Sequence, residues 1–140
     1  MCIIFVIILY ITELFNFENI IRVTSDCPLM DPNLVDEGIS KFLDEKCDYL
    51  TNSTGKFPHG VDFSIFTFSM LEKTWKNARL LSEKEHVIPY MEKKENKFNT
   101  IFLKNESDQS KFRITLDWTE DLELLRILVD KIKSRPILVH

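Results

Sequence analysis

Apolar residues recur along the chain in two periods, one typical of strands and one typical of helices. Five runs of strand length are rich in β-branched or aromatic residues and are predicted strands: 19–24 (NIIRVT), 47–51 (CDYLT), 61–68 (VDFSIFTF), 97–104 (KFNTIFLK) and 111–118 (KFRITLDW). Helical patterns lie between most of these runs. This alternation of strands and helices predicts a layered α/β domain.

Helix start signals place the second and the last helix. Asp31 is predicted to cap a helix whose first residue is Pro32, and Val35 and Ile39 continue its apolar stripe. A final amphipathic helix is predicted from Thr119, because acidic residues fill its first turn and apolar residues follow at helical spacing.

Two capping-box patterns predict the middle helices. Ser69 to Glu72 is expected to begin a helix that runs to about Leu80, and Ser82 to Glu85 is expected to begin a second helical piece. Pro89 should make that second piece short or kinked.

The apolar start of the chain, Cys2 to Ile11, is about half the roughly 20 residues that a membrane-spanning helix needs. No basic residue precedes it, as a signal peptide would require. A buried strand or helix is therefore favoured over a membrane anchor, and no stable membrane insertion is expected.

Charge and cysteine content exclude several classes of protein. The net charge of −4 offers no overall attraction to nucleic acid, and the lysines are spread over helical stretches. The three cysteines, Cys2, Cys27 and Cys47, are odd in number and lack C-x-x-C spacing, so neither a disulfide framework nor a zinc site is indicated. A reducing cytoplasm fits this pattern.

Two aspartates stand just beyond the carboxyl ends of predicted strands. Asp26 follows the run at 19–24, and Asp117 follows FRITL. In open α/β sheets ligands bind outside the carboxyl ends of strands, so the two carboxylates could converge and hold Mg²⁺ together with substrate phosphates. Aspartate is also common in turns and at helix starts, and position alone favours such a structural role over a metal ligand.

Other chemical patterns are weaker. His86 has no second histidine four residues away, so a zinc hydrolase is unsupported, and a helix residue with ordinary neighbours is the simpler interpretation. The stretch 57–62 (FPHGVD) has the composition of any turn that enters a strand. No serine stands in G-x-S-x-G, so acyl transfer has no visible basis.

Several segments, in order and spacing, resemble the cytidylyltransferases of the spore-coat polysaccharide biosynthesis type, relatives of the acylneuraminate and Kdo cytidylyltransferases. The resemblance covers roughly residues 12–133 and rests on these stretches: ENIIRVTSDCPLMDPNLVDEGISKFL, DYLTN, FPHGVDFSIFTFSMLEKTWKNA, SEKEHVIPYM and ITLDWTEDLELLRIL. It implies a three-layer α/β/α nucleotide-diphospho-sugar transferase (Rossmann-like) fold. The implied reaction is transfer of CMP from CTP to an acidic or modified sugar, with release of pyrophosphate.

The same resemblance implies a set of site residues. Asp26 and Asp117 would be the magnesium ligands. The nucleotide- or sugar-binding side would be formed by Arg22, Thr24, Phe57, Pro58, Gly60, Asp62, Glu85 and His86. It assigns no catalytic residue.

Two departures from the family pattern matter. Ser25 stands where glycine is common, which adds a side chain near the phosphates. The family also begins with a strand and a Gly-rich basic loop that wraps the triphosphate, whereas the three glycines here, Gly38, Gly55 and Gly60, all lie downstream. The expectation is one domain over residues 1–140, the C-terminal part of an N-terminally truncated enzyme, in which residues 1–15 form the helix before the Asp26 strand.

Loss of the first strands would expose an apolar edge of a parallel sheet, so marginal stability, a homo-oligomer or a complementing N-terminal chain is expected. The leading hypothesis is a magnesium-dependent cytidylyltransferase for a surface polysaccharide that is inactive as these 140 residues alone. The alternative is a non-catalytic sugar- or partner-binding module derived from that fold. A glycosyltransferase ranks last, because the D-x-D pattern is absent after Asp26.

Overall fold

The sheet is mixed. In the computed structural model, which describes residues 3–134, four strands pair in the order β1-β3-β2-β4. Their bounds are β1 Asn19–Val23, β2 Tyr49–Thr51, β3 Phe63–Thr67 and β4 Thr100–Phe102. Strand β3 is antiparallel to both neighbours, and β2 is parallel to β4. The expectation of a parallel sheet is therefore wrong for β3, while β1, β2 and β4 share one direction and end at the same edge.

Helices cover both faces of this sheet. Their bounds are α1 Ile3–Leu14, α2 Pro32–Glu45, α3 Phe68–Asn77, α4 Leu81–His86, α5 Ile88–Met91 and α6 Thr119–Lys133, with one 3₁₀ turn at Lys94–Asn96. Helices α1, α3 and α5 lie against one core and α2 against the other. This arrangement is the α/β/α layering that the sequence predicts.

Alternating side chains of the strands build the two cores. Tyr49 and Phe66 are fully buried on the face covered by α1, α3 and α5. Leu50, Phe63 and Ile65 are buried on the opposite face against α2. Because successive strand residues point to opposite faces, two short strands fill both cores.

Local signals place α2 correctly. The Asp31 carboxylate accepts the N–H of Asn33 at 2.9 Å, and Pro32 is the first helical residue, as predicted. The final helix likewise begins at Thr119. Both predictions are confirmed because capping is a property of a few adjacent residues.

The caps of α3 and α4 differ from the sequence prediction. Helix α3 begins at Phe68, and Thr67, the last residue of β3, caps it by accepting the N–H of Met70 at 3.2 Å. Helix α4 begins at Leu81, and the buried Glu83 carboxylate accepts the N–H groups of the two residues before it. Both predicted capping boxes are therefore wrong, because each helix begins one residue before the serine that was expected to cap it.

The run at 111–118 is not a strand. It meets the loop at 57–62 through one bridge, in which the N–H of His59 donates to Phe112 O at 3.0 Å and the N–H of Ile114 donates to His59 O at 2.7 Å. Gly60 lies at φ 107°, and a Cβ there would stand 2.6 Å from the carbonyl carbon of Ile114. The close approach of the two loops replaces sheet pairing at this point.

Helix α1 and strand β1 present an exposed apolar surface. Phe5 and Thr12 of α1 are buried, but most of its other large apolar residues are not, so the predicted burial of this segment is wrong for much of its length; Cys2 lies outside the described residues. The α1–β1 apolar surface comprises the exposed apolar residues at this edge of the sheet: Ile7, Tyr10, Ile11 and Leu14 of α1, Phe15 and Phe17 after it, and, on the opposite face of the sheet, Ile21 and Val23 of β1. No helix among residues 3–134 is long and apolar enough to cross a membrane.

Candidate active site

A tight turn after β1 fixes Asp26 at the edge where β1, β2 and β4 end. The N–H of Cys27 donates to Thr24 O at 3.2 Å and closes this turn. The Cys27 side chain is buried beneath it, 3.3 Å from the Thr24 hydroxyl, and burial raises the pKa of the thiol. The thiol therefore stays protonated and serves as packing, while the Asp26 carboxylate above it is partly exposed.

The segment before α6 crosses this turn. The N–H of Leu116 donates to Asp26 O at 2.8 Å, so the next residue, Asp117, lies beside the Asp26 turn. The bridge between the 57–62 loop and the 112–114 segment leads the chain into this crossing. The structure therefore brings together the two segments that carry the aspartates singled out in the sequence.

Arg113 occupies one side of Asp117. Its guanidinium donates to Asp117 Oδ2 at 2.5 Å and to both Asp121 oxygens at 2.6 and 2.9 Å. Thr115 donates to the same Asp117 oxygen at 2.8 Å. Arg113, followed by Thr115, holds the pKa of Asp117 below its usual range, and Arg113 with backbone N–H groups lowers that of Asp121 to about 2. Both carboxylates are therefore charged at neutral pH.

The two aspartates fit a divalent cation by the chemistry of their donors. Among the described residues, both hydrogen bonds to the Asp117 carboxylate fall on Oδ2, and the Asp26 carboxylate receives only a 3.8 Å contact from the Cys27 thiol. Each therefore retains carboxylate oxygen with no strong protein donor. Two carboxylates that leave positions for substrate phosphates are what Mg²⁺ commonly takes from proteins.

A pocket of about 220 Å³ lies on the α5 side of the sheet, and Thr24 of the Asp26 turn belongs to its lining. Arg22 and Thr24 come from the end of β1, Asp62 from the entry to β3, and His86 from the end of α4. Its full lining is Arg22, Thr24, Ser53, Asp62, Phe63, Ser64, His86, Ile88 and Pro89. Four residues that the resemblance implied are thus gathered on one cavity.

Two charged side chains of this pocket differ in whether they already have a partner in the protein. Asp62 Oδ2 accepts the N–H of Gly60 at 3.0 Å, which ties that carboxylate to its own turn. Arg22 forms no ion pair with any side chain that the structure describes. The guanidinium is therefore open to an anionic ligand, for which its planar fork of donors is well suited.

Three other implied residues lie elsewhere. Phe57 packs against the core beneath α2 and borders a separate surface depression with Glu37 and Lys104. Pro58 is half-buried in the 57–62 loop, and Gly60 serves the close approach of Ile114. They are absent from the lining of the pocket. Glu85 belongs to α4, but its side chain lies outside the described part of the structure.

Three polar residues at the site were not predicted from the sequence. Ser53 and Ser64 line the pocket, and Arg113 binds Asp117. Ser64 stands in the alternating run 61–68, where a polar residue marks one face of the strand, and that was the available signal. The partners of Arg113 depend on a loop crossing that no local pattern encodes.

Comparison with known proteins identifies similar folds and related sequences. No protein-family model matches the chain. A cytidylyltransferase from Leptospira borgpetersenii superposes with a TM-score of 0.81 and 32% identity, over 98% of this chain and 67% of the solved one. The molybdopterin-guanine dinucleotide biosynthesis protein A of Archaeoglobus fulgidus, at a TM-score of 0.58 and 14% identity, shares the fold alone.

Two curated relatives are similar in sequence. An uncharacterized protein of Methanocaldococcus jannaschii is 32% identical over 81% of this chain, and the spore coat polysaccharide biosynthesis protein SpsF of Bacillus subtilis is 29% identical over 84%. The chain spans 46% and 49% of these relatives, about half their length. With its nucleotide-diphospho-sugar transferase fold, the chain therefore belongs to the cytidylyltransferase family of the spore-coat polysaccharide biosynthesis type.

Proposed function

We propose that this chain supplies the metal and sugar side of an enzyme that transfers CMP from CTP to an acidic sugar of a surface polysaccharide, with release of pyrophosphate. The observation that carries the proposal is the hydrogen bond from the N–H of Leu116 to Asp26 O, which joins the segment that carries Asp117 to the turn that carries Asp26. Family membership supplies the class of reaction, and the pocket supplies the substrate side.

Different residues of the chain would bind the sugar and the metal ion. Arg22 would bind the carboxylate of the sugar, and the hydroxyls of Thr24, Ser53 and Ser64 would meet its hydroxyl groups. Asp26 and Asp117 would hold Mg²⁺, which when bound neutralises phosphate charge and orients the leaving pyrophosphate. Arg113 would keep Asp117 ionised and fixed in place.

Binding of the triphosphate requires more than these residues offer. Phosphate is usually cradled by a Gly-rich loop whose backbone N–H groups point at the oxygens. Here Gly38 lies under the Phe63 ring and Gly55 lies against the carbonyl of Leu103, so both are committed to packing, as Gly60 is. We therefore propose that residues 1–140 alone turn over CTP negligibly, because positioning provides most of the rate of such a transfer.

We further propose that the α1–β1 apolar surface binds a polypeptide that corresponds to the part of the cytidylyltransferase domain not matched here. Strand β1 pairs only with β3 among the described residues, so its other edge is open. Exposed apolar residues on an open strand edge favour pairing with another chain. Association of two copies of this chain through the same edge is the competing outcome.

Pyrophosphate release tests the proposal directly. The 140-residue chain is mixed with CTP, Mg²⁺ and a panel of acidic sugars, with and without the unmatched segment of a family cytidylyltransferase, added covalently or as a second chain. We expect release only with the added segment, and only with Mg²⁺ present. Robust magnesium-dependent release by residues 1–140 alone would overturn the inactivity of the chain, and no release from the completed enzyme with any acidic sugar would overturn the activity.

The packing of all three glycines also favours a second candidate, a non-catalytic module that binds a sugar or a partner chain. This module would use the same pocket without nucleotide chemistry. It predicts that the completed protein binds an acidic sugar in calorimetry but releases no pyrophosphate. For either function we place the protein in the cytoplasm, because Cys27 and Cys47 are both free.

A further inference from the structure

Ser64 lies at the centre of a row of polar side chains that crosses the sheet beneath the pocket. It is the direct cross-strand partner of Arg22 on β1 and of Thr51 on β2. Directly opposed residues in antiparallel strands have Cβ atoms roughly 4.5–5.5 Å apart and share one face. Ser64 lines the pocket with only 6% of its surface exposed, so it forms part of the pocket floor beside Arg22 of the neighbouring strand.

Two other buried hydroxyls flank Ser64. The Tyr49 hydroxyl lies 3.3 Å from Ser64 Oγ and donates its proton to Glu92 Oε1 at 3.0 Å. The Thr51 hydroxyl also lies 3.3 Å from Ser64 Oγ and donates to the carbonyl oxygen of Phe63 at 2.9 Å. Tyr49 and Thr51 are fully buried, whereas Glu92 is exposed.

Counting protons fixes the polarity of Ser64. Each hydroxyl has one proton, and a carboxylate or a carbonyl oxygen can only accept. The protons of Tyr49 and Thr51 are therefore directed outward, to Glu92 and Phe63, and each presents a lone pair to Ser64. A weaker alternative for Thr51, a 3.3 Å bond to Ser53 Oγ, also points away from Ser64. Ser64 then donates its own proton to Thr51 or Tyr49 within the network, which leaves a lone pair of its oxygen to accept a proton from a ligand.

We propose that Ser64 is a specificity-determining residue that accepts a hydrogen bond from a sugar hydroxyl while Arg22 binds the carboxylate beside it. This inference rests on the proposed function, since it concerns the sugar pocket of that enzyme. The pocket then selects a carboxylate that has a hydroxyl close to it and disfavours an anionic or carbonyl oxygen at the same point. Glu92 is a positioning residue, because it directs the Tyr49 proton away from Ser64.

Small probes test this without knowledge of the sugar. The full chain is titrated with glycolate, which has a hydroxyl beside its carboxylate, and with acetate, which lacks it, at matched ionic strength. Amide NMR shifts of Arg22 and Ser64 report binding. We expect glycolate to bind about fivefold more tightly than acetate, the ratio that corresponds to one hydrogen bond of about 1 kcal/mol.

Three variants test whether the preference for glycolate over acetate depends on Ser64. Ser64→Ala should bring the ratio close to one while acetate binding is kept, and the exposed Ser40→Ala on α2 is the matched control that should leave it unchanged. Glu92→Ala should narrow the ratio, because the Tyr49 proton can then turn to Ser64 and free the serine proton for the ligand. Glu92 is exposed, so this variant leaves the core intact.

The outcomes separate this inference from the proposed activity. Equal binding of glycolate and acetate to the wild type, or a ratio that survives Ser64→Ala, overturns the role of Ser64 even if the completed enzyme releases pyrophosphate. Absence of any shift at Arg22 and Ser64 with either probe overturns the pocket as a carboxylate site, and the inference with it.

Discussion

The amide of Leu116 donates a hydrogen bond of 2.8 Å to the carbonyl oxygen of Asp26. This contact joins the turn after the first strand to the segment before the last helix. It makes the position of Asp117 a consequence of tertiary structure, since no element of secondary structure connects the two segments. Any change that loosens this crossing should separate the two carboxylates.

Replacing either aspartate by asparagine should remove the activity of the completed enzyme. Asp26→Asn and Asp117→Asn keep the shape of the side chain but remove the charge that a divalent cation needs, so each should lower pyrophosphate release by orders of magnitude. Circular dichroism should show that the fold persists.

The matched control for this pair is Asp44→Asn, an exposed carboxylate on α2. It should leave turnover unchanged. Full activity of an enzyme that carries both Asp26→Asn and Asp117→Asn would show that the metal lies elsewhere.

Arg113→Gln should raise the pKa of two carboxylates together. The guanidinium is the largest cause of the lowered pKa of both Asp117 and Asp121, so its removal should move both titrations upward in carboxyl ¹³C NMR. Asp121 should retain part of its shift, because the N–H groups of Asp117 and Trp118 still donate to it at 2.9 Å.

The exposed Arg126→Gln on α6 is the control for this experiment, and it should move neither titration. If Asp117 titrates at the same pH with and without Arg113, the ion pair does not exist in solution. The affinity for Mn²⁺, used as an EPR-visible substitute for Mg²⁺, would then also be independent of Arg113.

Glu83 should make the stability of the chain depend on acid. Its bond from Lys93, together with the N–H groups of Leu80 and Arg79, lowers the pKa of Glu83 from 4.5 to about 2. A carboxyl whose pKa is lower in the folded state stabilises the fold above its unfolded pKa and loses this effect as pH falls. The melting temperature should therefore decrease from about pH 4.5 towards pH 2.

Glu83→Gln should lower the melting temperature at neutral pH and flatten this part of the pH profile. Glu72→Gln removes an exposed pair with Lys76 and should change little, since such pairs contribute little to stability. A Glu83→Gln protein with the melting temperature and the acid profile of the wild type would contradict the assignment.

The α1–β1 apolar surface should drive association. In analytical ultracentrifugation we expect the 140-residue chain to self-associate or to melt at low temperature, and Ile21→Lys should weaken the association by placing a charge on the open edge. Leu43→Lys, at a similarly exposed apolar residue on α2, is the control. A stable wild-type monomer with a cooperative, high-temperature transition would count against this surface as an interface.

Local signals predicted much of the fold. The Asp31–Pro32 pair, the β-branched run at 19–24 and the acidic first turn of α6 each act within a few residues, so the sequence alone indicates them. The antiparallel direction of β3 was not predictable in this way. It is determined by the return of the chain through the 52–62 loop, and residues inside β3 look the same in either direction.

The run at 111–118 shows the limit of periodicity. Its residues favour a strand, but a strand forms only where a neighbouring strand edge is free to pair. The backbone that this run meets is instead the 57–62 loop around Gly60. The site residues likewise differ in whether a local sequence pattern indicates them. Asp26 and Asp117 could be proposed from their positions after strand-like runs, whereas the polarity of Ser64 depends on the pairing of three strands.

The order of the strands also has a consequence for folding kinetics. Strands β2 and β3 are neighbours in the chain, but β1 reaches β3 only after α2 and β2 have been traversed, and such non-local pairing is slow. We expect Ile65→Val in β3 to slow folding and Ile20→Val in β1 to speed unfolding, as measured in denaturant chevrons. Because Arg22 and Ser64 come from these two strands, the pocket that they line should be among the last parts of the molecule to form.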